Sequence, residues 1–193
     1  MESKLKIIGI TGGFGSGKSI AASFFESKGF KKVTLSKFLE EEARSRDLAI
    51  TRKNLQDIGN EWREKYGPGT LAIKALGFAR DDKVKRLVID GIRNIAEIEE
   101  FKKENFILLA IESSESIRFE RLRELKRREN LTRELFKSLD RRDMGYGEKN
   151  YGLQVKACIE RADIHIKNEG SLEEFEKKLE GIINYETKFN SRN

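Results

Sequence analysis

Apolar positions along the chain fall into two spacings. Short, nearly continuous apolar runs at residues 5–10, 32–35, 86–90, 106–111 and 163–167 predict strands. Between them the apolar residues recur every three to four positions, the helical period. A helix is expected over 17–28, with Ile20, Ala21, Phe24 and Phe25 facing the sheet and Gly29 closing it. Ser36 is placed to cap the next helix, which carries Phe38, Leu39 and Ala43 on one side. Further helices are expected over 51–66 (stripe Leu55, Ile58, Trp62), 70–80, 94–103, 114–128, 133–142 and 151–161. Ser171 and Glu174 form a capping box opening a last helix, with Leu172, Phe175, Leu179 and Ile182 inward. Residues 144–152 read as a glycine-containing loop.

Strands separated by helices predict an α/β fold in which a parallel sheet is flanked by helices on both faces. The stretch 36–85 holds helix and no strand, so it reads as an insertion covering a ligand at the carboxyl edge of the sheet. No repeat or linker interrupts the chain. The expected organisation is one domain over 1–193, with 36–85 as a helical substrate-side insertion and about 123–143 as a helical lid.

Gly12-Gly13-Phe14-Gly15-Ser16-Gly17-Lys18-Ser19 fits the phosphate-loop pattern G-x-x-x-x-G-K-[ST] in full, with an apolar strand before it and a periodic helix after it. Glycines let successive amides turn inward toward phosphate oxygens. The helix beginning there adds its unpaired N–H groups. Gly13, Gly15, Ser16, Gly17, Lys18, Ser19 and Ile20 are therefore the candidate nucleotide contacts. Lys18 supplies a charge for the β- and γ-phosphates and Ser19 a hydroxyl for magnesium. The expected cofactors are ATP and Mg2+. Asp90 ends an apolar strand and is a candidate second magnesium ligand, and Arg93 a candidate phosphate clamp.

Arginines crowd residues 114–143, and a lid carrying them would offset charge on a transferring phosphoryl group. Arg123 and Arg127, at the end of a helix where a lid would hinge, are the candidates there. In the insertion, Asn60 and Arg63 lie one helical turn apart and are candidates, with Arg93, for an anionic acceptor. His165 and Cys158, the only residues of their types, read as structural.

The chain has 193 residues and a formal net charge of +6, with 37% hydrophobic and 37% charged residues. Basic and acidic residues alternate closely, so the excess fits phosphate chemistry better than a nucleic-acid tail. A single cysteine excludes an intrachain disulfide framework. No apolar run is long enough for a bilayer or a signal peptide, which makes a cytoplasmic location the expectation. Oligomeric state is not legible.

Taken together, the loop at 9–19, the Asp90-Gly91-Ile92-Arg93 segment and the closing strand and helix at 162–174 resemble the dephospho-CoA kinase and nucleoside monophosphate kinase group of P-loop kinases. A closer resemblance, carried by residues 54–56, Gly59-Asn60-Glu61-Trp62-Arg63, Tyr66-Gly67-Pro68-Gly69 and 90–94, is to poorly characterised archaeal-type relatives of that group. The resemblance implies a P-loop NTPase three-layer sandwich with a five-stranded parallel sheet. It puts Asn168 and Gly170 beside the adenine of a bound nucleotide. It also implies an ATP- and magnesium-dependent phosphotransferase acting on a small nucleotide-like acceptor. Dephospho-CoA kinases carry an aspartate soon after the second strand, where this chain has Leu35-Ser36-Lys37. That departure favours a nucleoside or deoxynucleoside monophosphate as acceptor over the ribose hydroxyl of dephospho-CoA. The reading from another class is a P-loop ATPase or switch with an RNA or protein partner.

Overall fold

The computed structural model describes residues 5–125 and 131–190, with side chains described to residue 183. Five strands form one parallel sheet in the order β2-β3-β1-β4-β5. They are β1 (Lys6–Thr11), β2 (Lys31–Thr34), β3 (Arg86–Asp90), β4 (Asn105–Glu112) and β5 (Ile164–Lys167). Successive strand residues point to opposite faces, and both faces are covered, so the strands read as continuous apolar runs. Ile7, Leu87, Ile89 and Leu108 enter one core, shared with α2 (Leu35–Ser45), α3 (Arg52–Tyr66), α4 (Thr70–Asp81) and α5 (Ile95–Phe101). Cys158 of α8 (Val155–Glu160) completes that core. Ile8, Ile10, Val88, Leu109 and Ile111 enter the other, against α1 (Lys18–Ser27) and α9 (Leu172–Asn190). The result is the expected three-layer sandwich.

The helices α2, α3 and α4 fill the connection between β2 and β3, as the missing strand signal implied. Thr51 starts α3 by accepting from the Asn54 amide. Asn94 and Glu97 form a capping box at α5 that had no separate sequence expectation. Ser171 and Glu174 make the expected one, each side chain accepting from the other's backbone N–H at 3.2 and 3.1 Å. After β4 come α6 (Glu115–Leu125) and α7 (Arg133–Asp143), and α7 packs against α3 at the Arg52–Asp143 pair.

Three local expectations are corrected. Ser36 is not a cap: α2 begins one residue earlier, directly off β2, and Ser36 lies in its first turn with Oγ 3.5 Å from Glu40. Ile20 does not face the sheet, because the buried face of α1 is Ala21, Ala22 and Phe25, leaving Ile20 47% exposed. Leu172 is likewise exposed in the first turn of α9, while Phe175, Leu179 and Ile182 are buried as expected.

Candidate functional site

The sheet register builds the site. Ile10 pairs with Asp90 across β1 and β3, so the glycine loop and Asp90 emerge side by side at the carboxyl edge. Thr11 Oγ1 donates to the Ile92 carbonyl at 2.9 Å and ties the two strand ends together. Gly17 sits at the start of α1 with φ +101°, in the left-handed region that a side chain rarely adopts. A Cβ there would also collide with the Asn168 amide.

Lys18 folds back over the loop, its Nζ donating to the Gly12 and Gly13 carbonyls at 2.8 and 2.7 Å. Burial first, and then the nearby Arg93 charge, push its pKa down to about 7, with Asp90 and Asp143 acting in the opposite sense. Ser19 Oγ donates to Asp90 Oδ2 at 2.9 Å, bringing together the two oxygen donors expected to hold magnesium. A hydroxyl and a carboxylate at the end of β3 fit a hard divalent cation.

The loop is braced from outside by residues not expected to touch it. Asn168 Nδ2 donates to the Ser16 carbonyl at 2.9 Å, and Arg121 donates to the Asn168 carbonyl at 3.0 Å. Gly170 lies two residues further on, exposed in the turn before α9. Arg118 Nη1 donates to the Phe14 carbonyl at 3.0 Å, while its Nη2 donates to Asp140 of α7 at 2.9 Å. Phe14 stacks on Phe136 of α7, and the Arg52 guanidinium lies 4.6 Å from the Phe14 ring centre. The loop tip is thus gripped by α3, α6 and α7 at once.

Opposite the loop stands a cationic wall. Arg93 follows β3, and Arg52 opens α3. Both meet Asp143 at the end of α7: Arg52 through a direct ion pair, Arg93 at 3.6 Å. Gln56 Nε2 also donates to Asp143, at 2.8 Å. Burial would raise the Asp143 pKa, but Arg52 and Arg93 outweigh it and hold the carboxyl at about 2. Burial and the neighbouring Arg52 bring Arg93 down to about 10.

Of the other candidates, Asn60 donates to Glu148. Arg63 is 2% exposed and paired with the fully buried Glu97, whose second oxygen accepts from the Arg93 and Asn94 amides. Its guanidinium is therefore largely committed to fixing the turn after β3. Arg123 is exposed and pairs with Glu120 at 2.6 Å on its own helix. Arg127 lies outside the described residues. Ile20, exposed beside Ser19, is on the surface of the first turn of α1. Residues that sequence reasoning missed are Gln56, Glu97, Asp140 and Asp143, while Arg118 and Arg121, read only among the arginines of a lid, brace the loop instead. The sequence signal available was the spacing of Asp140 and Asp143, one turn apart on a helix otherwise read for its arginines.

No established family profile matches the chain. It is 35% identical over 183 residues to a UPF0200 protein of Sulfurisphaera tokodaii, covering 94% of this chain and 97% of that one. The chain belongs to the UPF0200 family. A UPF0200/UPF0201 protein of Archaeoglobus fulgidus is also 35% identical, over 189 residues, and the chain spans only 56% of that relative's length. Among solved structures, shikimate kinase from Aquifex aeolicus (20% identity, TM-score 0.53, 94% and 98% of the two chains) is similar. So is dephospho-CoA kinase from Campylobacter jejuni (19%, TM-score 0.52, 95% and 98%). At these identities the likeness is one of fold: this UPF0200 chain has the P-loop fold of small-molecule kinases. Among the described residues no helix is long and apolar enough to cross a membrane.

Proposed function

We propose that this UPF0200 chain is an ATP- and magnesium-dependent phosphotransferase whose acceptor is a small nucleotide-like compound, with a nucleoside or deoxynucleoside monophosphate favoured. The observation that carries the reading is the Ser19–Asp90 pair beside Lys18, facing the Arg52 and Arg93 wall. In this reading Lys18 exchanges its two loop carbonyls for phosphate oxygens. Ser19 and Asp90 would hold Mg2+, which would supply positive charge against the phosphates. Asn168 and Arg118 keep the loop carbonyls of Ser16 and Phe14 fixed, so little reorganises at the moment of transfer. Asn168 and Gly170 border the base, and Gly170 lets the Glu174 carboxylate close against the turn.

Arg93 and Arg52 face the acceptor's anion, with Asn60 further along α3. Arg63 acts mainly by positioning the turn that carries Arg93. Residues 36–85 serve as the substrate side and about 123–143 as the lid of a single domain, with Arg123 in reach of the transferring group on closure.

A hydroxyl acceptor needs a general base. The carboxylate next to the arginine wall is Asp143, which Arg52 and Arg93 keep ionised and paired, so it is not free to take a proton from a hydroxyl. This favours an acceptor that is already a phosphate. A coupled ATP-consumption assay over nucleoside monophosphates and dephospho-CoA tests the reading. Turnover of monophosphates is expected. Turnover of dephospho-CoA alone would replace the acceptor, and hydrolysis stimulated only by RNA or protein would replace the class.

A further inference from the structure

The side of α3 turned away from its apolar stripe is unusual for a face buried in a protein. Arg52, Gln56, Asn60 and Arg63 follow one another at spacings of four, four and three, which sets them in a row. Arg52, Gln56 and Arg63 are 4%, 1% and 2% exposed. Each member of the row nevertheless keeps one buried polar atom without a partner: Arg52 Nε, Gln56 Oε1, Asn60 Oδ1 and Arg63 Nη1. Leaving a buried polar atom unmet is costly, so four in one row point to a ligand rather than to a packing choice. Two are donors and two are acceptors, so the ligand offers an anion or carbonyl to the arginines and N–H or O–H groups to the amide oxygens.

The row is closed by acid. Asp143 sits on Arg52, Gln56 and Arg93, and Glu148 accepts from Asn60. Asp143 pairs with Arg52, whose guanidinium lies 4.6 Å from the centre of the Phe14 ring, so its carboxylate is held near the tip of the phosphate loop. An anion is thus already held by two arginines and an amide near that loop, and the same groups can hold the anion of an acceptor.

We propose that the buried polar face of α3 is the acceptor site, that a phosphate monoester docks between Arg52 and Arg93 where the Asp143 carboxylate now sits, and that the rest of the acceptor donates hydrogen bonds to Gln56 and Asn60. Asp143 is thus a built-in substitute for substrate that the acceptor displaces. This rests on the phosphotransferase reading, but its consequences are read in binding and need no turnover. Removing the competing charge strengthens binding of a bare phosphate; removing a different α3–α7 ion pair does not. Asp57 provides that control, since it pairs with Arg142 at 2.6 Å on the outer side of α3.

The test titrates orthophosphate calorimetrically into the full chain, as parent, Asp143→Asn and Asp57→Asn, each first loaded with the magnesium complex of a non-hydrolysable ATP analogue so that the loop is filled. Asp143→Asn is expected to bind orthophosphate on the order of tenfold more tightly than parent, the scale of ordinary site coupling, with Asp57→Asn unchanged. No gain in Asp143→Asn, or an equal gain in Asp57→Asn, overturns the proposal. If Asp143→Asn does not fold, Arg93→Ala decides: loss of phosphate binding with analogue binding kept is expected, and unchanged phosphate binding refutes it. Failure of the analogue to bind counts against the phosphotransferase reading alone. Phosphate is then titrated without it into Asp143→Asn and Asp143→Asn/Arg93→Ala, and a gain that survives loss of Arg93 sinks the acceptor site.

Discussion

On the proposed reading, the donor side and the acceptor side of this site are built in opposite ways. Around the glycine loop nearly every polar group is matched: Lys18 to two carbonyls, Ser19 to Asp90, Asn168 to Ser16, Arg118 to Phe14, with Ser16 Oγ the exception. Along α3 the buried polar groups are each left partly unmet. A phosphate loop can be complete before its ligand arrives, because its contacts are backbone groups held by the strand and helix on either side. An acceptor site must stay incomplete, since its specificity lies in the bonds it reserves for substrate. The contrast separates what binds generically from what selects.

The largest expected effect falls on the complete side. Lys18→Ala should lower phosphoryl transfer by about 100- to 1000-fold, the loss typical of one positioned charge or donor, while the thermal midpoint stays near that of the parent. Retained activity would mean that the loop is not the donor site. Asp90→Asn should cost roughly 100-fold, and the remaining activity should demand more magnesium, because one hard ligand has become a neutral amide. A magnesium titration of initial rates reads this directly.

Stability sharpens the comparison next. Arg118 and Asp140 are 8% and 11% exposed at their side chains, so Arg118→Ala strands a buried carboxylate as well as freeing the loop. A loss of about 3 kcal/mol is expected by chemical denaturation. Arg123→Ala should change stability by no more than about 0.5 kcal/mol, as for an exposed pair within one helix. Equal effects of the two substitutions would contradict the bracing role of Arg118.

The smallest effect is a proton. Lys18, brought down to about 7 by burial and Arg93, is largely neutral above that pH in the free chain. A polyphosphate favours the charged amine and raises that pKa, so the complex holds more protons than the free protein above about pH 7. Nucleotide binding at pH 8 should therefore take up close to one proton, and at pH 6 almost none, with affinity falling as pH rises above 7. Calorimetry in buffers of different ionisation enthalpy measures this, and Lys18→Ala should abolish the difference.

The same contrast explains what the sequence discloses. The loop, β1, α1 and the Ser171–Glu174 box are each specified within a few consecutive residues, so periodicity and spacing suffice to find them. The sheet is legible because both its faces are buried and its strands are apolar throughout. Arg63 looked free for substrate because Glu97, its partner, comes from another helix. The spacing of Asp140 and Asp143 does not disclose the partners of Asp143 for the same reason: Arg52, Gln56 and Arg93 reach it from α3 and from the turn after β3. The phase errors at Ile20 and Leu172 both fall in the first turn of a helix, where an apolar residue can sit outside the buried stripe. The start of α2 was misjudged because the strand before it leaves no room for a separate cap.

The most direct test is transfer of the γ-phosphoryl group of radiolabelled ATP, with magnesium, to a panel of nucleoside and deoxynucleoside monophosphates. Label recovered as nucleoside diphosphate, lost in Lys18→Ala, is the predicted result. Label recovered only as inorganic phosphate, whatever acceptor is present, would contradict the account.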